Sequence, residues 1–185
     1  NSVDEIYECR VIGGEPMVNR DFHLIVDRLC NEDKVKKVVI YANGTIAPRL
    51  SQVDRLKHDK VLFIITDYDE QSKNLSKLTK VLDENSIRYH HQHGDGWTDS
   101  GTITKRKNRS LTQRKEIFSN CCVHNFTTLA NGKIYRCPFA ANADILKAIP
   151  NNKEDYIDLN LEVSNGLVYN EIKAKIKSFV TEKET

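Results

Sequence analysis

Short apolar runs rich in β-branched residues recur along the first half of this chain, and their spacing leaves few folds open. They begin near residues 6, 35, 61 and 87, roughly 25 to 30 residues apart, the length a β-α-β crossover uses. Between them lie amphipathic stretches. Phe22, Ile25, Val26, Leu29 and Cys30 repeat at i, i+3, i+4, i+7 and i+8; Leu50, Val53 and Leu56 make one stripe; Leu75, Leu78, Val81 and Leu82 make another, with Ser72 as its expected N-cap. A helix between two strands returns the chain to the same end of the sheet, so the strands should pair in parallel. Residues 1–96 are therefore expected to be α/β: a partial parallel (β/α) barrel or an open doubly wound sheet.

The alternation stops after His93. Gly94 to Gly101 is a loop of turn formers around Trp97 and Asp99, and Lys105, Arg106, Lys107, Arg109, Arg114 and Lys115 make a basic run. Residues 97–117 read as loop and solvated linker. A small β-hairpin and helix module is expected over 118–185, centred on Asn131-Gly132 between two strand-like runs, the strongest short hairpin signal. It should pair Ala130 with Lys133 and Thr128 with Tyr135, bringing Cys137 beside Phe126. A helix over 141–149 and a last helix carrying Leu167, Ile172, Ile176, Phe179 and Val180 complete it.

Composition sets the limits. At 185 residues with 39% hydrophobic and 29% charged, the chain can bury one core or one core and an appendage. A net charge of +2 argues for neither nucleic acid nor an anionic membrane surface as partner. No apolar stretch approaches the roughly 20 residues of a membrane span, and Asn1 to Glu8 is no signal peptide. Five cysteines, an odd number, suit a reducing compartment, so the expected location is cytoplasmic. Cys30 and Cys9 read as core.

Ligands of parallel α/β folds bind at the carboxyl ends of strands, where paired glycines let backbone approach closely. Gly13-Gly14-Glu15-Pro16 stands at such an end, although the same residues also describe a tight turn closed by proline. With the following helix and a strand ending in Asn43-Gly44-Thr45, this segment resembles the second and third β-α units of radical S-adenosylmethionine enzymes. In that family a GGEP motif precedes a strand ending in a TNG-like motif; here Ala42 replaces the threonine. The resemblance implies that Gly13, Gly14 and Glu15, with Pro16 completing the motif, contact the methionyl amino group of S-adenosylmethionine. It implies that Asn43 and Gly44 face the cofactor and that Thr66 and Asp67 lie near its ribose or carboxylate. Glu15 is then a cofactor-binding residue, and no residue of the chain is assigned an acid, base or nucleophile role.

The resemblance continues downstream. Cys122, nine residues, Gly132, four residues and Cys137 match the CX9-15GX4C signature of the auxiliary-cluster domains called SPASM and twitch. It implies an auxiliary 4Fe-4S cluster on Cys122 and Cys137, with Cys121 as a further candidate ligand and His124 nearby. Read without the resemblance, the same cysteines are half of a zinc site first and buried thiols second. The family holds its catalytic cluster on a CX3CX2C loop after the first strand. Cys9, Cys30, Cys121, Cys122 and Cys137 lack that spacing, and Ile6 begins what matches the second strand. The chain is therefore expected to be a fragment, inactive alone and shortened past Thr185 as well.

Full length, the enzyme would reductively cleave S-adenosylmethionine to a 5′-deoxyadenosyl radical that takes a hydrogen atom from substrate. It would need a reductant such as flavodoxin or ferredoxin and a small-molecule or peptide substrate. His90, His91 and His93 could line the substrate mouth. Two other readings stay open: a non-enzymatic zinc scaffold on Cys121, Cys122, His124 and Cys137, and a different α/β enzyme holding a phosphate-bearing ligand at Gly13-Gly14.

Overall fold

The computed structural model describes residues 3–96, 108–150, 152–164 and 169–181. Residues 4–97 and 98–185 form separate compact units.

The first unit is a parallel sheet of four strands, β1 (Ile6–Val11), β2 (Val35–Ala42), β3 (Val61–Asp67) and β4 (Tyr89–His93), in the order of the sequence. Register joins Val11 to Ile40, Ile40 to Phe63 and Phe63 to Tyr89. Alternate residues Val38, Ile40 and Ala42 on β2 and Val61, Phe63 and Ile65 on β3 therefore point to one face. That face meets Phe22, Val26 and Cys30 of α1 (Phe22–Cys30), Val53 of α2 (Leu50–Val53), Leu56 just beyond it, and Leu78, Val81 and Leu82 of α3 (Leu75–Glu84), all in one cluster. Phe63, Leu56, Leu78 and Leu82 are wholly buried, each worth about 1.5–3 kcal/mol relative to exposure. The helices thus feed a single layer, and the strand order never reverses. A doubly wound sheet needs such a reversal; what forms here is a consecutive four-stranded parallel sheet with its helices in one cluster.

The second unit is antiparallel. β5 (Thr128–Ala130), β6 (Lys133–Tyr135) and β7 (Tyr156–Asp158) pair in that order, with Thr128 opposite Tyr135 and Ala130 opposite Lys133 as expected. The turn is left-handed at both central residues, φ 51° at Asn131 and 75° at Gly132, the geometry that selects Asn-Gly. Around the sheet lie α4 (Leu111–Ser119), α5 (Pro138–Ile145), α6 (Leu159–Ser164) and α7 (Tyr169–Thr181). The buried Tyr135 donates to Asp144 on α5 at 2.5 Å. Lys133 reaches the same carboxylate at 3.3 Å and lies over the Tyr156 ring. Arg136 ties in α7, donating to the Phe179 carbonyl at 2.7 Å.

Several local expectations need correction. Ser72 does not cap α3, which begins three residues later after Asn74. The Leu50 stripe is one short turn of α-helix followed by a 3-10 turn. Residues 111–119 are helix rather than linker: Ser110 and Gln113 form a reciprocal capping box that starts α4. The helix expected over 141–149 begins at Pro138, because the Cys137 sulfur accepts the Ala140 N–H and proline takes the first position. It ends by Leu146, before Lys147 turns to φ 54°. The polar segment after it contains β7. Trp97, Asp99, Lys105, Arg106, Lys107 and Leu167 lie outside the described residues.

No helix among the described residues is long and apolar enough to cross a membrane.

Candidate functional site

Side chains tie the carboxyl ends of β1, β2 and β3 together. After Gly13-Gly14 the backbone is extended at Glu15 (φ −148°, ψ 112°), which caps a 3-10 turn over Pro16–Val18. Proline suits this start because it has no N–H to leave unpaired. One Glu15 oxygen accepts the Met17 N–H at 3.2 Å, and the other accepts the Asn43 N–H, at the end of β2, at 2.9 Å. Asn43 reaches back through its side chain: Nδ2 donates to the Gly14 carbonyl at 2.9 Å, while Oδ1 accepts the Thr45 N–H at 3.0 Å and hydroxyl at 2.7 Å.

The loop after β3 joins the same network. Ser72 is buried, its hydroxyl donating to the Asn43 carbonyl at 2.7 Å and accepting the Tyr68 N–H at 2.8 Å. Asn74 donates its backbone N–H to Gly44 at 2.8 Å and its side-chain amide to Thr45 at 2.6 Å. The structure thus brings Gly14, Glu15 and Asn43 into one hydrogen-bonded unit, with Pro16 buried beside them. Ser72 and Asn74 are the members sequence reasoning missed; Ser72 was legible only as a helix start. Thr66 stands apart. It is half-buried on β3 opposite Gln92 and, among the described residues, joins none of these bonds.

Burial raises the Glu15 carboxyl above its ordinary value, with the Asn43 and Met17 N–H groups pulling the other way. Both oxygens are engaged, so Glu15 holds the loop rather than waiting as a free base. The glycines beside it differ from others in the unit. Gly44 has φ 72°, and a Cβ there would stand 3.1 Å from Ser72 Cβ, so its own fold requires glycine. Gly13 and Gly14 have no positive φ; among the described residues, a Cβ on Gly14 would meet nothing within 4 Å, and one on Gly13 only the Glu15 nitrogen at 4.0 Å. Both are exposed. Neither local conformation nor a close neighbour among the described residues accounts for the pair.

The cysteines divide into two sets. Burial pushes the Cys30 thiol up to about 11 and raises that of Cys9 as well; both pack in or against the first unit's core. In the second unit, consecutive tight turns follow α4: Cys121 donates its N–H to Phe118, His124 to Cys121, and Phe126 to Val123, at 3.0–3.1 Å. The His124 ring holds the Cys121 carbonyl through Nδ1 at 2.6 Å. Cys122 is exposed, Cys121 half-buried, and Cys137 half-buried at the head of α5, two residues past the hairpin ladder.

Two thiolates on one zinc lie about 3.8 Å apart, the edge of a tetrahedron with 2.3 Å bonds. No three of Cys121, Cys122, His124 and Cys137 offer ligand atoms mutually within 4.8 Å; among the described residues, the group that does is Asp67, Asp69 and His93. An iron-sulfur cluster spreads its thiolates over separate irons and does not demand that compactness. Neither protein-family models nor curated proteins match the sequence.

Proposed function

We propose that this chain is part of a radical S-adenosylmethionine enzyme, with Gly13, Gly14, Glu15 and Asn43 at its cofactor site and Cys122 and Cys137, joined by Cys121 or another donor, at an auxiliary 4Fe-4S cluster. The observation that carries the reading is the Gly13-Gly14 pair: two exposed glycines at the carboxyl edge of a parallel sheet that the chain's own packing leaves unexplained. A ligand lying against backbone explains them. The one-layered consecutive sheet is what a partial barrel of this family requires, and the hairpin between Cys122 and Cys137 has the register that the auxiliary-domain signature needs.

In this reading Glu15 fixes the loop by its two N–H bonds and leaves the Gly13 and Gly14 backbone toward the cofactor. Asn43 holds the Gly14 carbonyl and sets the distance between the first two loops. Bound cofactor and catalytic cluster supply the hydrogen-atom abstraction, and this chain's residues position and shield it. The catalytic cluster's cysteines belong, on this proposal, to a part of the parent polypeptide ahead of β1. A reducing, cytoplasmic setting, an electron donor such as flavodoxin or ferredoxin, and a small-molecule or peptide substrate complete the proposal. Five cysteines, none bonded to another, accord with that setting.

The zinc scaffold is the second reading, and the spread of the second-unit ligands argues against it. Anaerobic reconstitution of residues 1–185 with iron and sulfide separates the two. The proposal expects a brown protein absorbing near about 400 nm, whose iron and sulfide fall sharply in Cys122→Ala and Cys137→Ala and stay in Cys30→Ala. Stoichiometric zinc with no iron after anaerobic expression would overturn the cluster assignment.

A further inference from the structure

At the other end of the same sheet edge, three metal-ligating side chains converge, with His91 beside one of them. His91 and His93 occupy alternate positions of β4 and so share a face; in register they stand beside Ile65 and Asp67 of β3. The Asp67 carboxylate is oriented by the Asp69 N–H, which donates to Oδ1 at 2.9 Å. Its Oδ2 then faces His91 Nε2 at 3.5 Å, while Asp69 Oδ2 faces His93 Nε2 at 3.7 Å. Donor atoms of Asp67, Asp69 and His93 all lie within 4.8 Å of one another. The Gly94 N–H donates to the Asp67 carbonyl at 2.8 Å, pinning the ends of the two strands together.

These separations are informative. A charge-assisted N–H···O bond closes to about 2.7–2.9 Å, so neither pair has drawn together as an ordinary hydrogen-bonded ion pair. Two donors sharing one tetrahedral ion at about 2.0–2.1 Å lie roughly 3.4 Å apart, close to both values. Neither carboxylate has a Lys or Arg partner within 4.0 Å among the described residues; their ion-pair partners are the two imidazoles. Among the described residues, two negative groups on one edge therefore lack a Lys or Arg cation. Imidazole donors favour zinc and its neighbours over magnesium or calcium.

We propose that Asp67, Asp69 and His93 bind a zinc-like divalent transition-metal ion at the carboxyl edge of β3 and β4, with His91 facing the Asp67 carboxylate beside the ion. Asp67 and the histidines come from strands and set the geometry, whereas Asp69, at φ 52° in the following turn, closes the site from the solvent side. Exposure rises from 21% at Asp67 to 74% at Asp69, so the outer face of the ion is open to water or an anionic ligand. The proposal does not rest on the S-adenosylmethionine reading, whose auxiliary-cluster cysteines lie in the other unit.

The test is calorimetric titration with ZnCl2 of the chain carrying Cys121→Ser, Cys122→Ser and Cys137→Ser, which removes the competing thiols while serine keeps the α5 cap. One zinc per chain is expected. Affinity should fall about tenfold or more in His93→Ala and in Asp67→Asn, as for loss of a metal's supporting group, and stay unchanged in His90→Ala, whose side chain alternates to the other face. No binding, or binding indifferent to His93→Ala and Asp67→Asn, overturns the site. If those variants fail to fold, Co2+ added to the serine-substituted chain should broaden the ring signals of His91 and His93 and spare those of His90 and His23. Broadening spread evenly over the histidines overturns it equally.

Discussion

Glu15 joins two strand ends through one carboxylate, and both of its bonds go to backbone N–H groups, those of Met17 and Asn43. Glu15→Gln keeps one acceptor oxygen and turns an NH2 toward the second N–H. Leaving that pair unsatisfied in a buried loop should cost about 1–3 kcal/mol. Because burial raises the folded carboxyl above 4.5, the folded state binds this proton more tightly than the unfolded chain. The residue's contribution is therefore full below the unfolded value and declines as the pH rises through the folded one. Urea midpoints measured from about pH 4 to pH 7 should show the deficit of the glutamine variant narrowing as pH rises. A deficit that widens would contradict this account of Glu15.

At the scale of elements, Cys137 has two tasks, capping α5 through its sulfur at 3.3 Å from the Ala140 nitrogen and, on the proposal, holding a cluster. The first can be read without metal. Cys137→Ser retains a capping acceptor, whereas Cys137→Ala loses it at about 1 kcal/mol, so melting of the metal-free protein should rank serine near wild type and alanine below. Equal melting of the two variants would deny the cap. The same elements show what the sequence discloses and where it stops. Strands β1 to β4 and helix α1 were legible because alternation and the 3.6-residue stripe record which face is buried. The hairpin register was legible because Asn131-Gly132 permits only a left-handed turn. β7 was not: three residues carry no periodicity, and it forms because Ile157 finds Ile134 across the sheet. The start of α4 was written in Ser110 and Gln113 but hidden under the basic run. Ser72 misled because serine serves equally as an N-cap and as a loop tie, and only Asn43, 29 residues away, decides between them. Asp69 joined the histidines through a turn whose course no local pattern specifies.

For the molecule as a whole, a consecutive parallel sheet under one helix layer and a three-stranded antiparallel sheet with its own helices divide the proposed chemistry. Gly13-Gly14 and Asn43 belong to the first, and the hairpin cysteines to the second. The cofactor proposal stands or falls on whether the parent polypeptide turns S-adenosylmethionine into 5′-deoxyadenosine. That polypeptide, expressed from its own reading frame, reconstituted anaerobically and reduced with dithionite, should release 5′-deoxyadenosine detectable by chromatography. Gly14→Ala should retain its melting temperature, since a Cβ there meets no atom of the described residues within 4 Å, and should lose most of the product. A reading frame without a CX3CX2C loop ahead of β1, or a reconstituted and reduced protein that releases no 5′-deoxyadenosine, would contradict the account.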